Sequence, residues 1–158
     1  DEELKVLQMY VELESLRFDQ SFSYEINVDE NLSNDEVLVP SLMVQPFVEN
    51  AIWHGLLHKD GEKKLKIEFV NHSDDHLTCT IEDNGVGRDK AMALQRENFK
   101  YQHHKSKGTL ITEQRLRLLH KSLGAQPAVK IIDLKAPLTG EATGTRVEVL
   151  IPIMELDR

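Results

Sequence analysis

Residues Pro40 to His58 read PSLMVQPFVENAIWHGLLH. At about 100° per residue this stretch winds as an amphipathic helix, with Val44, Phe47, Val48, Ala51 and Gly55 on one apolar face. Asn50 and His54 are four apart, so they stack one turn above the other at the edge of that face. Asn competes with the backbone for hydrogen bonds and sits poorly inside a helix unless its side chain has a task. The pair is therefore either a hydrogen-bonded core boundary or two polar groups turned toward a cleft.

Two further stretches bear on that choice. Ile81-Glu82-Asp83-Asn84-Gly85-Val86-Gly87 closes an alternating run, Leu77 to Glu82, that has the period of a half-buried strand. Gly85 and Gly87 permit positive φ and close approach of another group to the backbone. Asp83 offers a carboxylate where the chain turns, although Asp-Asn-Gly alone is an ordinary turn signal. Near the C-terminus, Gly144-Thr145 leads into a second alternating run, Arg146 to Ile151.

Outward from these, Leu4 to Phe18 has helical spacing, with Leu7, Tyr10, Val11, Leu13 and Phe18 as its apolar positions. Ser23 to Val28 alternates as a strand, and a polar loop spans Asp29 to Glu36. A turn at Lys59-Asp60-Gly61 follows the Asn helix. Leu65 to Val70 and Leu77 to Glu82 read as a hairpin joined by Asn71 to Asp75. Helices are expected at Asp89–Glu97 and Thr109–Leu123, the latter ended by Gly124, and a strand at Val129–Leu134. Lys135 to Gly144 reads as a strand connector. Strands with one polar face and helices with one apolar stripe call for two layers. The expected fold class is α/β (α+β): a two-layer sandwich of a mixed, mostly antiparallel sheet with three helices on one face.

Composition narrows the function classes. The length suits one domain with a real core. A net charge of -8 argues against wholesale binding of nucleic acid, which needs a basic surface. No apolar run approaches the ~18 residues that span a bilayer, and no signal peptide is visible. The chain starts in mid-helix without Met, which reads as a piece of a longer protein. Its lone cysteine, Cys79, lies in a strand pattern and reads as a small buried hydrophobe, compatible with a reducing compartment.

An Asn-bearing helix, an Asp-x-Gly-x-Gly turn and a late Gly-Thr strand, in this order, resemble the ATP-binding fold shared by gyrase, Hsp90, histidine kinases and MutL. Within it, Gln45 to Gly55 (QPFVENAIWHG) and Val11 to Phe18 (VELESLRF) are similar to LytS-type sensor histidine kinases. The resemblance implies that residues 1–20 end a linker or dimerisation helix and that residues 21–158 are the ATP-binding catalytic domain. Asn50 would give its side-chain oxygen to Mg²⁺, a hard cation, with His54 beside it. Asp83 would accept from the adenine amino group, Gly85 and Gly87 would clear space for the base, and Thr145 would add a hydrogen bond. The basic run Phe99 to Gly108, otherwise a solvated loop, would be a lid. Its Lys105 and Lys107, with amides around Gly108 at the next helix start, would meet the phosphates. The implied partners are a phosphoacceptor histidine domain upstream, a response regulator and a second copy in a homodimer, with no nucleic acid. The implied setting is the cytoplasmic side of an inner-membrane protein.

Three departures from the pattern stand out. Pro46 occupies the place of the Glu that activates water in the hydrolysing members, so transfer is implied rather than stand-alone hydrolysis. Trp53 stands where many histidine kinases have Lys. The second glycine box, Lys107 to Ile111, keeps one clear glycine and lacks the usual Asn. The Pro-His-Phe phosphoacceptor motif does not occur, so this chain alone is not expected to autophosphorylate. A degenerate nucleotide-binding signalling domain, a superfamily ATPase and a non-nucleotide interaction module are the alternative readings.

Overall fold

The alternation around Ile81 becomes the central strand of a five-stranded sheet. The computed structural model describes residues 2–19, 21–32, 43–97 and 129–153, with single helical positions 111, 114 and 118. The expected basic loop with Lys105, Lys107 and Gly108, and most of the helix expected at 109–123, lie outside the described residues.

The chain runs α1 (Glu2–Arg17), β1 (Ser23–Val28), a 3₁₀ turn (Glu30–Leu32), α2 (Gln45–Asn50) continuing into a π turn (Ala51–Leu56), β2 (Lys64–Ser73), β3 (His76–Asp83), α3 (Arg88–Glu97), β4 (Val129–Lys135) and β5 (Ala142–Pro152). The strand order is β1-β2-β3-β5-β4, with only β1–β2 parallel. The mixed, mostly antiparallel sheet is therefore as expected.

Register explains which face is buried. Leu65, Ile67, Leu77, Cys79, Ile81, Val149 and Ile151 share the inner face through the pairs Ile67↔Ile81, Cys79↔Val149 and Leu77↔Ile151. Full burial of each Leu, Ile or Val stabilises the fold by roughly 1.5–3 kcal/mol relative to exposure. Leu7 and Val11 of α1, Phe47 and Val48 of α2, and Ile52 and Leu56 of the π turn complete one cluster. The opposite face is solvated and charged: Arg146 and Glu82, cross-strand partners, pair at 2.7 Å. Among the described residues no helix is long and apolar enough to cross a membrane.

Several local expectations are corrected. Leu13 is 62% exposed, because it lies two residues and about 200° around the helix from buried Val11. The hairpin strands extend to Ser73 and from His76, which shrinks the connection to Asp74-Asp75. β5 begins at Ala142, so Gly144 sits inside a strand rather than in a connector.

The largest correction concerns the Asn helix. It is α-helical only over Gln45–Asn50, with Pro46 in the first turn, where its missing N–H has no helical partner to lose. Beyond Asn50 the bonding slips to five residues, as in the Leu57 N–H to Ile52 carbonyl bond of 2.9 Å. Single π turns of this kind cluster at functional sites.

Candidate functional site

A cavity of about 310 Å³ opens between α2 with its π turn, the start of α3, and the strand ends of β3, β4 and β5. The size falls within the range of small-molecule sites. Phe47, Asn50, Ala51, His54 and Gly55 line one wall. Their spacing, three and four residues apart, keeps them on one face despite the π turn. Asp83, Thr145 and Val147 form the floor, Ile131 the β4 edge, and Gly87, Arg88, Ala91 and Met92 the remaining wall. Five residues singled out from the sequence, Asn50, His54, Asp83, Gly87 and Thr145, thus meet in one cavity. Three stretches of chain deliver them.

Asp83 ends β3 directly opposite Thr145 of β5, on the inner face. It is 4% exposed, and its Oδ1 accepts a 2.8 Å hydrogen bond from the Gly85 amide. Burial pushes the carboxyl up to about 7. The Gly85 and Thr145 amides and the Lys59 ammonium pull the other way, while Glu82 adds to the rise. The site thus holds a carboxyl ready to accept or donate near neutrality.

That shift sets a pH dependence with a definite sign. Between the ordinary carboxyl range and about 7, the folded protein keeps a proton that the unfolded chain has released. Stability from this group is therefore full below the unfolded value and declines as pH rises toward 7. The isosteric Asp83→Asn removes the effect. In thermal melts its stability relative to wild type should grow from pH 4 to pH 8, by up to about 4 kcal/mol. A difference that stays flat across that range would show that the carboxyl is not held neutral.

The glycines divide the work differently from the expectation. Gly87 has φ +83 and lines the cavity, and a Cβ on it would lie 2.8 Å from the Ala142 methyl. Gly85 is absent from the lining and lacks positive φ. A Cβ there would come within 2.3–2.5 Å of the Gly55 backbone. The close approach expected at Gly85 is that of the Gly55 backbone, so this glycine lets the turn press against the helix. Gly55 in turn lets Asp83 approach, since a Cβ on it would stand 2.6 Å from Oδ1. The Gly55 carbonyl accepts the Val86 N–H at 3.2 Å. Sequence reading gave Gly55 only an apolar place. The signal it carried was a glycine in mid-helix, which costs about 1 kcal/mol against Ala without some packing reason.

Asn84, between Asp83 and Gly85, is structural. Its side chain accepts from the Lys64 amide at 2.7 Å and donates to the Glu62 carbonyl at 3.0 Å. Lys59 Nζ caps its carbonyl at 2.6 Å. Arg88 was also missed. It binds Asp133 of β4 through two 2.7 Å bonds, Nε to Oδ1 and a terminal nitrogen to Oδ2. This bidentate pair, 45 residues apart in sequence, ties the start of α3 to the edge of the sheet beside the cavity. It also raises the Arg88 pKa and lowers that of Asp133.

The wall chemistry suits a flat ring with a polar edge. Phe47, Ala91, Met92, Ile131 and Val147 give apolar surfaces, and Asp83 gives the buried polar partner. Among the described residues no group of three or more His, Cys, Asp or Glu side chains is placed to hold a metal. A hard cation here would rest on the Asn50 oxygen together with oxygens of the ligand, the habit of Mg²⁺.

No family model matches the chain. Over 87 residues it is 33% identical to the sensor protein LytS of Staphylococcus haemolyticus, covering 55% of this chain and 14% of that protein. Over 90 residues it is 32% identical to the sensor histidine kinase/phosphatase LytS of Staphylococcus aureus, covering 57% of this chain and 15% of that one. The matches span about one seventh of the length of these curated relatives. Among solved structures, the mycobacterial sensor histidine kinase MprB superposes with TM-score 0.60 at 16% identity, covering 97% of this chain and 95% of that one. The catalytic domain of histidine kinase ThkA gives 0.55 at 15% identity, covering 95% and 92%. The fold is that of histidine kinase catalytic domains, and the resemblance to LytS-type kinases extends to sequence.

Proposed function

We propose that this chain is the ATP-binding catalytic domain of a LytS-type sensor histidine kinase. It would take ATP into the cavity and pass the γ-phosphoryl group to a histidine on a preceding domain of the same protein. The observation that carries the reading is the convergence of Asn50, His54, Asp83, Gly87 and Thr145, drawn from three separate stretches, on one cavity.

In this reading Asp83 accepts from the adenine amino group while the Gly85 amide holds its Oδ1 in place. Thr145, its cross-strand neighbour, adds a hydrogen bond to the base. Phe47, Met92 and Ile131 would give the ring its apolar surfaces, and Gly87 would leave room beside it. Asn50 presents its oxygen to the metal ion, which when bound neutralises phosphate charge. His54 lies beside it toward the phosphates. Lys105, Lys107 and the amides at Gly108, outside the described residues, would meet the phosphates. In the transfer a bond forms between the acceptor imidazole nitrogen and the γ-phosphorus. The bond to the bridging oxygen breaks, and ADP leaves. Positioning and charge neutralisation supply most of such catalysis, so the domain needs no nucleophile of its own.

Pro46 in the first turn of α2 gives no base to activate water, which favours transfer over hydrolysis. The upstream histidine domain, a response regulator and a second copy of the chain are the proposed partners, with the ATP site on the cytoplasmic side of the membrane.

Calorimetry with two ligands tests the assignment. Asn50→Ala should weaken Mg²⁺-ATP about tenfold or more while leaving adenosine within about twofold, because only the triphosphate engages the metal. An Asn50 that merely satisfies a neighbour would instead lower the melting temperature and weaken both ligands alike. Equal losses would sink the metal-ligand role.

A further inference from the structure

Trp53 lies between Asn50 and His54 in sequence, yet it is absent from the cavity lining. Its ring is engaged by the end of α1. Phe18 meets it edge-to-face, with centroids 5.2 Å apart and planes at 79°. The Arg17 guanidinium carbon lies 4.9 Å from the ring centroid, a cation–π distance, and Arg17 also reaches Glu14 at 3.8 Å. The chain leaves α1 immediately afterwards through Asp19, at φ +52, with the Ser21 amide bonded back to the Phe18 carbonyl at 3.0 Å. The end of α1 is thus fixed to the π turn at the residue between the two polar groups that face the cavity.

The location gives the contact leverage. A π turn has wider, weaker backbone bonding than an α-helix, so its side chains matter more in holding its shape. One flank of this turn carries Ala51, His54 and Gly55 into the cavity, and the other packs against α1 through Trp53. A shift of α1 therefore moves the Asn50–His54 edge more readily than the Asp83 floor, which the sheet holds through its pairs with Leu65 and Thr145 and the close approach of Gly144.

We propose that Trp53 is a positioning residue that couples the seating of α1 to the phosphate end of the cavity, so that α1 docking and Mg²⁺-ATP binding favour each other. The inference rests on the ATP reading above. Reciprocity follows from linkage: whatever factor α1 docking adds to nucleotide affinity, the nucleotide adds to α1 docking.

The test uses this chain and its single tryptophan. Wild type, Trp53→Ala, Trp53→Phe and Arg17→Ala are titrated with Mg²⁺-ATP and with adenosine, alongside melting temperatures. Trp53→Ala should weaken Mg²⁺-ATP about tenfold and adenosine less than about twofold, a split that simple loss of packing does not produce. Trp53→Phe should recover to within about threefold of wild type, by keeping the ring contact with Phe18. Arg17→Ala, whose side chain touches no part of the cavity, should reproduce the split at about threefold. In wild type, Mg²⁺-ATP should shift Trp53 emission and slow amide exchange in the last turn of α1, and adenosine should do neither. Equal losses for both ligands, or none in Trp53→Ala and Arg17→Ala, overturn the coupling. Wild type that binds adenosine but shows no emission or exchange change with tightly bound Mg²⁺-ATP overturns it too, with the ATP reading intact. Wild type that fails to bind Mg²⁺-ATP at all overturns both.

Discussion

Asp83→Ala is expected to lose about tenfold to over a hundredfold in ATP affinity, since a buried hydrogen bond to a charged or strongly polar group contributes roughly 1.5–3 kcal/mol. The loss should be the same for ATP, ADP and adenosine, because the base is common to all three. It should also be nearly independent of Mg²⁺. Stability should change little or even rise near neutral pH, because burial already disfavours the ionised carboxyl. Affinity and stability therefore separate at this residue, where a purely structural turn residue would lose stability and keep its ligand. Asp83→Asn sharpens the test: its amide oxygen can serve the Gly85 N–H, but its NH₂ group then faces the adenine amino group, donor against donor. Calorimetric titration of both variants decides, and wild-type affinity in Asp83→Ala would reduce Asp83 to a turn residue.

Gly85→Ala should destabilise the whole domain by about 3 kcal/mol or more. The added Cβ would stand 2.3 Å from the Gly55 carbonyl carbon, 2.4 Å from its oxygen and 2.5 Å from its Cα. All three are backbone atoms, so no rotamer change relieves the overlap. Either the π turn or the end of β3 must move, and the Val86–Gly55 hydrogen bond goes with it. Gly61→Ala is the control. It has φ +86 but open space around it, so only the left-handed backbone cost of about 1–2 kcal/mol applies. Urea unfolding midpoints at constant m-value compare the two directly. If Gly85→Ala unfolds no earlier than Gly61→Ala, the close approach of turn and helix is softer than the geometry states.

How much of this was legible in the sequence follows from the range of the forces involved. Strand alternation depends on a period of two that each strand carries alone, so the runs ending at Glu82 and Ile151 marked β3 and β5 correctly. The apolar face through Phe47, Val48 and Ala51 was equally local. Asn50, His54, Asp83, Gly87 and Thr145 were found as motif residues, and the cavity brings them together. The π turn was invisible because one slipped hydrogen bond leaves the i, i+3, i+4 pattern almost unchanged. Gly85 was legible as a point of close approach, but the group that approaches it, the Gly55 backbone 30 residues earlier, was not. The Arg88–Asp133 pair joins two exposed residues that no local pattern links. Leu13 shows the reverse error, an apolar residue counted toward a face from which its angle excludes it.

The single parallel pairing, β1 beside β2, has a kinetic side. Ser23 meets Lys64 some 40 residues later, with α2 and its π turn threaded between them. Closing that loop costs chain entropy before any ladder bond repays it. The β2–β3 hairpin has no such delay, as its strands are joined by Asp74-Asp75 alone. Folding should therefore begin from the hairpin, with β1 and the α1 that precedes it docking last. The same segment should be the first to detach under mild denaturant, giving its amides a lower opening free energy than those of β3. The leading end of the domain would then be a separate cooperative unit, able to come loose while the rest stays folded.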